Sequence, residues 1–210
     1  MAFLLPWNKN KKTNEIKLKI GLYGGTFDPI HTAHLLIAQY ITEELNLHKT
    51  IFIPSAHPPH KKVYSSPRHR LNMVQLAISD SPVSECSDFE IKTEGPSFSV
   101  DTIGQLKKQL GVDKQNLFWI IGSDNFVDFP NWKDPDKIFD LSNVVVFPRK
   151  AGDFEKAPNN YRDQAVYLKD TPLLDISSTR IRSLVKEKRS IQYWVPPAVE
   201  AFIHSEKLYL

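Results

Sequence analysis

Short apolar runs alternate along this chain with longer segments whose apolar residues recur at helical spacing. Two runs, Leu117 to Ile121 and Val144 to Phe147, are continuously apolar, which is typical of strands buried on both faces of a sheet. Similar runs occupy positions 19–23, 50–54 and 165–168. Because strands joined by crossover helices pair in parallel with right-handed connections, the pattern predicts an α/β fold with a mostly parallel sheet covered on both faces.

The segments between these runs carry the usual signals for helix starts and ends. Predicted helices cover about 32–45, 67–78, 100–110, 177–186 and 196–208, the last two forming a small C-terminal helical portion. The segment Phe89 to Lys92 suits a short strand. Ligands bind such sheets at the carboxyl ends of the strands, so we search first in the loops that follow them.

The distribution of charge limits the possible partners. The formal charge of +3 comes from 27 Lys and Arg against 24 Asp and Glu, and residues 1–19 hold five of the lysines and one acid. The remaining chain has 22 basic and 23 acidic residues. Nucleic-acid binding needs a basic surface, so we expect no nucleic-acid partner. We predict an N-terminal extension at 1–17, expected to be flexible, and a single domain at 18–210.

Cysteine usage and hydropathy indicate the cellular compartment that we expect for the protein. The single cysteine, Cys86, cannot form an internal disulfide, and no Cys and His cluster has structural zinc spacing. The apolar opening at 1–7 is too short for a signal peptide, and no apolar run approaches the roughly 20 residues of a membrane span. We therefore expect a cytoplasmic protein without membrane contact. The sequence does not determine the oligomeric state, and a homo-oligomer is one of the alternatives.

The loop after the first predicted strand, Gly24 to His34, has the composition of a phosphate site. Paired glycines let a backbone approach a ligand, and the helix N-terminus that follows presents unpaired N–H groups to an anion. His31 and His34 share one face of that helix. The loop is neither a Walker loop nor a Gly-x-Gly-x-x-Gly motif, and a tight turn before a capped helix explains the same residues equally well. A zinc site is disfavoured, because His-x-x-His lacks the glutamate and spacing of a zinc helix.

Two further loops follow predicted strands. The segment Ser177 to Thr179 can cap a helix, and Arg180 and Arg182 add guanidinium groups suited to a terminal phosphate. The segment Gly122 to Asp124 offers a carboxylate that can accept hydrogen bonds from ribose hydroxyls. Helix capping explains the first segment, and a simple turn explains the second, without any ligand.

Two single residues, considered together with these loops, are further candidates for ligand binding. Lys61 follows the second predicted strand and can meet phosphate charge, although a solvated lysine is the simpler interpretation. Trp132 can stack on a flat, cationic ring, although most tryptophans serve packing. No Ser/His/Asp set or Cys nucleophile stands out, which favours direct transfer of a phosphorus group over covalent catalysis.

These motifs resemble those of the nucleotidyltransferase superfamily, whose phosphate motif is similar to Gly24 to His34 and whose second signature is similar to Ile176 to Arg182. Within it, the chain resembles the bacterial nicotinate-nucleotide adenylyltransferases over about 19–208. Four further segments stand in that family's order: Pro58-Pro59-His60-Lys61, Glu94 to Thr102, Gly122-Ser123-Asp124 and Pro130-Asn131-Trp132. The resemblance implies a Rossmann-like, doubly wound fold, and ATP carrying Mg²⁺ held mainly by its phosphates. It also implies attack of the phosphate of nicotinate mononucleotide on the α-phosphorus, which gives deamido-NAD and pyrophosphate.

The resemblance also implies roles for single residues. The catalytic residues would be His31, His34 and Arg182. The residues facing the phosphates of ATP would be Gly24, Gly25, Thr26, Phe27, Lys61, Ser178 and Thr179. Those facing ribose would be Gly122 and Asp124, and those facing the pyridine nucleotide would be Ser99, Thr102 and Trp132.

The chain departs from the family pattern at two positions. Ala33 stands where glycine is usual, so its methyl group either narrows the approach to phosphate or is tolerated. Lys133 stands where an aromatic residue is common, and it can instead attract the pyridine carboxylate.

Three alternatives stay open. An adenylyltransferase that prefers nicotinamide mononucleotide differs only in a few polar contacts. A pantetheine-phosphate adenylyltransferase shares both signatures but usually has Pro-Gly in place of Gly24 and Gly25, and it lacks the Trp132 loop. A non-catalytic nucleotide sensor would keep the pocket without turnover, which the presence of His31, His34 and Arg182 disfavours.

Overall fold

The computed structural model describes residues 18–59 and 61–210. The extension predicted at 1–17 and the side chain of His60 lie outside the described residues. Within them, none of the helices is long and apolar enough to cross a membrane.

The described strands form one parallel sheet in the order β3-β2-β1-β4-β5-β6. Their bounds are β1 (Ile20–Gly25), β2 (Lys49–Pro54), β3 (Ser84–Cys86), β4 (Leu117–Gly122), β5 (Asn143–Phe147) and β6 (Val166–Tyr167). All five pairings are parallel, which confirms the predicted sheet. The strand order reverses between β1 and β4, and in doubly wound folds a ligand cleft opens at the carboxyl ends of the strands at such a point.

Helices connect and cover the strands. Their bounds are α1 (Thr32–Glu44), α2 (Pro67–Ala77), α3 (Phe89–Lys92), α4 (Ser99–Leu110), α5 (Ser123–Val127), α6 (Pro135–Leu141), α7 (Asn159–Arg162), α8 (Ser178–Lys186) and α9 (Pro197–Ser205). Short 3₁₀ turns occupy Lys114–Asn116, Phe129–Asn131 and Phe154–Lys156. The predicted long helices are confirmed to within a few residues at their ends.

A separate apolar core covers each face of the sheet. Along β4, Phe118 and Ile120 point into the core under α1, α2, α8 and α9, whereas Trp119 and Ile121 point into the core under α4, α5, α6 and α7. Val145 and Val146 of β5 divide between the two cores in the same way. This two-sided burial explains why both central strands are apolar at every position from 117 to 121 and from 144 to 147.

The predicted strand at Phe89 to Lys92 is wrong, because this segment is the short helix α3. The edge strand is Ser84–Cys86 instead, and its pairing with β2 ends where the Ser87 amide donates to the Phe52 carbonyl (2.9 Å). The chain then turns, and the Ile91 amide donates back to the Asp88 carbonyl (3.1 Å). Four residues with two apolar side chains are too short for periodicity to separate helix from strand.

Candidate active site

Two cavities open side by side at the carboxyl ends of β1 and β4. The histidine cavity, of about 500 Å³, is lined mainly by the loop after β1, by His31 and His34, and by the start of α8. The tryptophan cavity is lined mainly by Trp132, Lys133 and the start of α4. The two share Gly24 to Thr26, together with Lys61, Ile121 and Asn125, so a ligand that fills both crosses this common boundary.

The glycine pair at the end of β1 is required by neighbouring rings. A Cβ atom on Gly24 would lie 2.6 Å from Cη2 of Trp119, and one on Gly25 would lie 2.8 Å from Cζ of Phe27. Phe27 itself adopts a positive φ of 50°, which folds its ring back over this backbone. Packing therefore accounts for both glycines, while their backbone still lines the two cavities as the sequence predicts.

His31 and His34 meet at the start of α1. Their rings stack with centroids 3.7 Å apart, and the His31 amide donates to Nδ1 of His34 (3.2 Å). Burial, reinforced by the Arg149 charge, lowers the pKa of His31 to about 3. Burial, with the charges of His31, Arg149 and Lys61, also places the pKa of His34 well below its ordinary value. Both rings are therefore neutral near pH 7, and the accepting Nδ1 leaves the His34 proton on Nε2.

The start of α8 is fastened to the loop after β1. The Ser177 hydroxyl caps the helix by accepting from the Arg180 amide (3.2 Å), while Ser178 Oγ donates to the Pro29 carbonyl (2.8 Å). Arg182 Nη1 donates to the Asp28 carbonyl (2.8 Å), and Nη2 donates to Thr179 Oγ1 (3.1 Å). Ser178, Thr179 and Arg182 thus line the histidine cavity, whereas Arg180 is exposed outside it.

A third side of the histidine cavity comes from the ends of β4 and β5. Gly122 and Asp124 line it there, and Lys61, from the loop after β2, reaches this side with its Nζ 3.4 Å from Oδ1 of Asn125. A Cβ atom on Gly122 would lie 2.7 Å from Cγ of Arg149, so glycine lets that arginine cross the end of β4. Arg149 is a cavity cation that sequence reasoning missed. A basic residue two positions after a buried apolar strand was the available signal.

A second missed residue, Arg70, contacts backbone that lines both cavities. Its side chain is fully buried, and its guanidinium donates to the backbone carbonyls of Thr26 (2.9 Å), Ala56 (2.9 Å) and Ser55. These carbonyls belong to the loops after β1 and β2, so one side chain ties the two loops together. In the sequence Arg70 is one of three basic residues at the start of a helix, with nothing to separate it from solvated neighbours.

The tryptophan cavity is built from less buried parts. Trp132 packs on Phe129 with ring centroids 5.2 Å apart, and Ser99 is the first residue of α4. Lys133 Nζ lies 2.8 Å from Oδ2 of Asp101 and 4.9 Å from the centre of the Phe98 ring. Trp132, Ser99 and Lys133 all line this one cavity.

Two other residues named in the sequence analysis, Thr102 and Ala33, lie outside the linings of these two cavities. Thr102 is buried and does not line the tryptophan cavity, because its hydroxyl donates to Oε1 of Glu90 (2.7 Å). The resemblance placed Thr102 in direct contact with the ligand. In the structure Thr102 contacts Glu90 instead, and Glu90 lines the tryptophan cavity. Ala33 is also fully buried and lies outside the lining of the histidine cavity, so its methyl group does not narrow that cavity.

Comparisons with known proteins agree with this geometry. The family model described as "Cytidylyltransferase-like" matches residues 22–184. The chain is 37% identical over 199 residues to a probable nicotinate-nucleotide adenylyltransferase of Caldicellulosiruptor bescii, covering 91% of this chain and 99% of that protein. It is 40% identical over 215 residues to a protein of the same name from Citrifermentans bemidjiense, covering 92% and 99%.

Solved structures share the fold. Nicotinic acid mononucleotide adenylyltransferase of Plasmodium falciparum, complexed with NaAD, superposes with a TM-score of 0.74 at 20% identity, covering 91% of this chain and 97% of that one. The Plasmodium enzyme complexed with APC gives a TM-score of 0.70 at 19% identity, covering 90% and 96%. The solved structures show only a shared fold, whereas the sequence relatives show the family. The chain belongs to the cytidylyltransferase-like family and, within it, to the nicotinate-nucleotide adenylyltransferases.

Proposed function

We propose that this protein transfers the AMP group of ATP to nicotinate mononucleotide, giving deamido-NAD and pyrophosphate. The observation that carries the proposal is the pair of cavities joined over Gly24 to Thr26. One cavity has the donors that a polyphosphate needs, and the other has an indole and a cation suited to an acidic aromatic ring. The reacting phosphates would meet where the cavities join.

In this reaction an oxygen of the mononucleotide phosphate attacks the α-phosphorus, and the bond from that phosphorus to the pyrophosphate oxygen breaks. No protein nucleophile is required. The environment of Cys86 agrees with direct transfer, because burial, with help from Asp88, raises the pKa of its thiol to about 12. The protein's work is then positioning and charge stabilisation.

The histidine cavity supplies that stabilisation from fixed donors. We assign His31 and His34 as neutral N–H donors toward the phosphates, and Arg182 as a cation facing the pyrophosphate that leaves. Gly24, Gly25, Thr26 and Phe27 would present backbone to the same phosphates. The hydroxyls of Ser178 and Thr179, the ammonium of Lys61 and the guanidinium of Arg149 add further donors around the cavity.

Magnesium would enter with ATP. Among residues 18–59 and 61–210, no group of three or more His, Cys, Asp or Glu side chains is arranged to hold a metal ion. Phosphate oxygens and water are ligands that Mg²⁺ prefers, so a triphosphate fits this site as its main carrier. When bound, the ion would neutralise phosphate charge alongside Arg182 and Lys61.

Recognition of the two nucleosides would come from the rims of the cavities. Gly122 and Asp124 would face ribose at the end of β4. Trp132 would stack on the pyridine ring, with Ser99 at the N-terminus of α4 and Lys133 near the ring's carboxylate. Thr102 would act indirectly by holding Glu90 at the cavity wall.

A pyrophosphate-release assay with ATP and three acceptors tests the proposal. We expect turnover with nicotinate mononucleotide, less with nicotinamide mononucleotide and none with phosphopantetheine. Faster turnover with the amide, or with phosphopantetheine, would replace the proposed acceptor by that compound. Binding of ATP and nicotinate mononucleotide without pyrophosphate release would identify a sensor.

A further inference from the structure

Tyr209 reaches the loop after β1 from the segment that follows α9. Its hydroxyl donates to Oδ1 of Asp28 (2.7 Å) and lies 3.4 Å from Oγ of Ser65. Tyr209 adopts a positive φ of 65°, and Lys207 adopts one of 52°. Such backbone is costly for residues with a side chain and persists where surrounding contacts hold it. The hydrogen bonds of the Tyr209 hydroxyl are therefore candidates for a positioning role in addition to packing.

Asp28 is the centre of these contacts. It is 3% exposed, and its carboxylate accepts from the Tyr64 amide (2.6 Å), the Ser65 hydroxyl (2.6 Å) and the Tyr209 hydroxyl. A buried carboxylate needs such donors, because an unpaired charge away from water is strongly unfavourable. The three donors come from two distant parts of the chain and fix the position of one side chain.

The backbone of Asp28 faces the catalytic side. Its carbonyl accepts from Nη1 of Arg182 (2.8 Å), so the carboxylate and the carbonyl of one residue connect Tyr209 with Arg182. A second connection runs through Tyr64, whose amide donates to the same carboxylate and whose ring centre lies 4.1 Å from Cζ of Arg182. The guanidinium is thus held from two sides by groups that depend on Asp28.

We propose that Tyr209 is a positioning residue for the transfer reaction, acting through Asp28 on the orientation of Arg182. The inference rests on the proposed function, since Arg182 is placed there beside the departing pyrophosphate. The tryptophan cavity is lined by other residues, so Tyr209 should affect the chemical step and leave mononucleotide binding alone. A misplaced charge-stabilising group is costly because the transition state depends on its exact geometry.

The test compares Tyr209→Phe with Tyr193→Phe, which removes the hydroxyl of a residue that is 83% exposed. With ATP and nicotinate mononucleotide, well below the melting temperature of each variant, we expect Tyr209→Phe to lower kcat about tenfold. The KM for the mononucleotide should stay within about twofold, and Tyr193→Phe should match the unmodified protein. An unchanged kcat in Tyr209→Phe overturns the proposal. Absence of turnover in the unmodified protein overturns the proposed function instead.

A double-mutant cycle separates positioning from general stability. If Tyr209 acts through Arg182, then Tyr209→Phe should have little further effect on kcat in an Arg182→Lys background. Equal fold-losses in both backgrounds would show an independent structural effect and overturn the proposal. Should Tyr209→Phe fail to fold, Ser65→Ala replaces it in the same cycle, because Ser65 donates to the same carboxylate oxygen. Additive losses with Ser65→Ala would then be the contradicting result.

Discussion

The histidine cavity and the tryptophan cavity lie side by side but are held in different ways. Around the first, Arg182, Arg70 and Ser178 donate to backbone carbonyls of the loop after β1, and these hydrogen bonds are partly buried. Around the second, Lys133 pairs with Asp101 at the surface, and Trp132 leans on its neighbour Phe129. Partly buried hydrogen bonds to backbone carbonyls orient the first set of groups, whereas an exposed ion pair and a neighbouring ring support the second.

The difference fits what each cavity would do in the proposed reaction. Stabilising charge that develops during phosphoryl transfer requires donors fixed in advance, since donors that must reorient lose most of their benefit. Stacking on a flat ring tolerates small shifts, and an exposed ion pair contributes little to stability. Sequence departures should therefore be better tolerated in the tryptophan cavity, which is where Lys133 replaces the usual aromatic residue.

The largest expected effect is on the support of the backbone between the two cavities. Arg70→Met leaves the carbonyls of Thr26, Ser55 and Ala56 without their donor, and we expect a loss of about 3 kcal/mol or more in unfolding free energy. Urea unfolding should show a lower midpoint at an unchanged slope. Arg68→Met, on an exposed face of α2, is the matched control and should change stability by less than about 0.5 kcal/mol. Equal stability of the two variants would contradict the comparison.

A catalytic effect should follow for His34. Because His34 is assigned as a fixed donor to phosphate, His34→Ala should lower kcat at least about tenfold with the fold intact. Circular dichroism and pyrophosphate release measure the two properties. His204→Ala, at an exposed position of α9, should keep full turnover. Near-normal turnover in His34→Ala would remove this residue from the catalytic set.

The tryptophan cavity should respond in KM rather than kcat. Trp132→Ala removes the stacking surface, and we expect the KM for nicotinate mononucleotide to rise about tenfold, while the KM for ATP stays within about twofold. Trp132→Phe keeps a ring and should lose less. Steady-state kinetics with each substrate varied in turn checks both values. A matching rise in the KM for ATP would mean that the two cavities are not separable.

The smallest expected effect concerns the carboxylate of the pyridine ring. Lys133→Gln should lower the preference for nicotinate over nicotinamide mononucleotide, measured as the ratio of kcat/KM values, about threefold, because exposed charges contribute modestly. Lys137→Gln, an exposed lysine of α6 outside the cavity lining, should leave the ratio unchanged. If both variants keep the original ratio, Lys133 has no part in discrimination.

Local patterns predicted most of the frame and part of the site. Continuous apolar runs identified β4 and β5, and glycine and histidine after β1 marked the phosphate loop. The same reasoning missed Arg70 and Arg149, because a basic side chain looks alike in sequence whether it is solvated or buried under a distant loop. The family resemblance assigned Thr102 to the pyridine nucleotide, and nothing in a linear pattern shows that its hydroxyl is occupied by Glu90.

The order of apolar and polar residues along the chain was enough to specify a parallel, two-sided sheet, because burial on one or both faces leaves a periodic trace in every strand and helix. It was also enough to mark three loops at strand ends as candidate anion and ribose sites. Which side chains support those loops was decided only in the tertiary structure. Arg70, Asp28 and Tyr209 act through hydrogen bonds to groups up to 181 positions away, and contacts between distant residues leave no periodic signal in a single sequence.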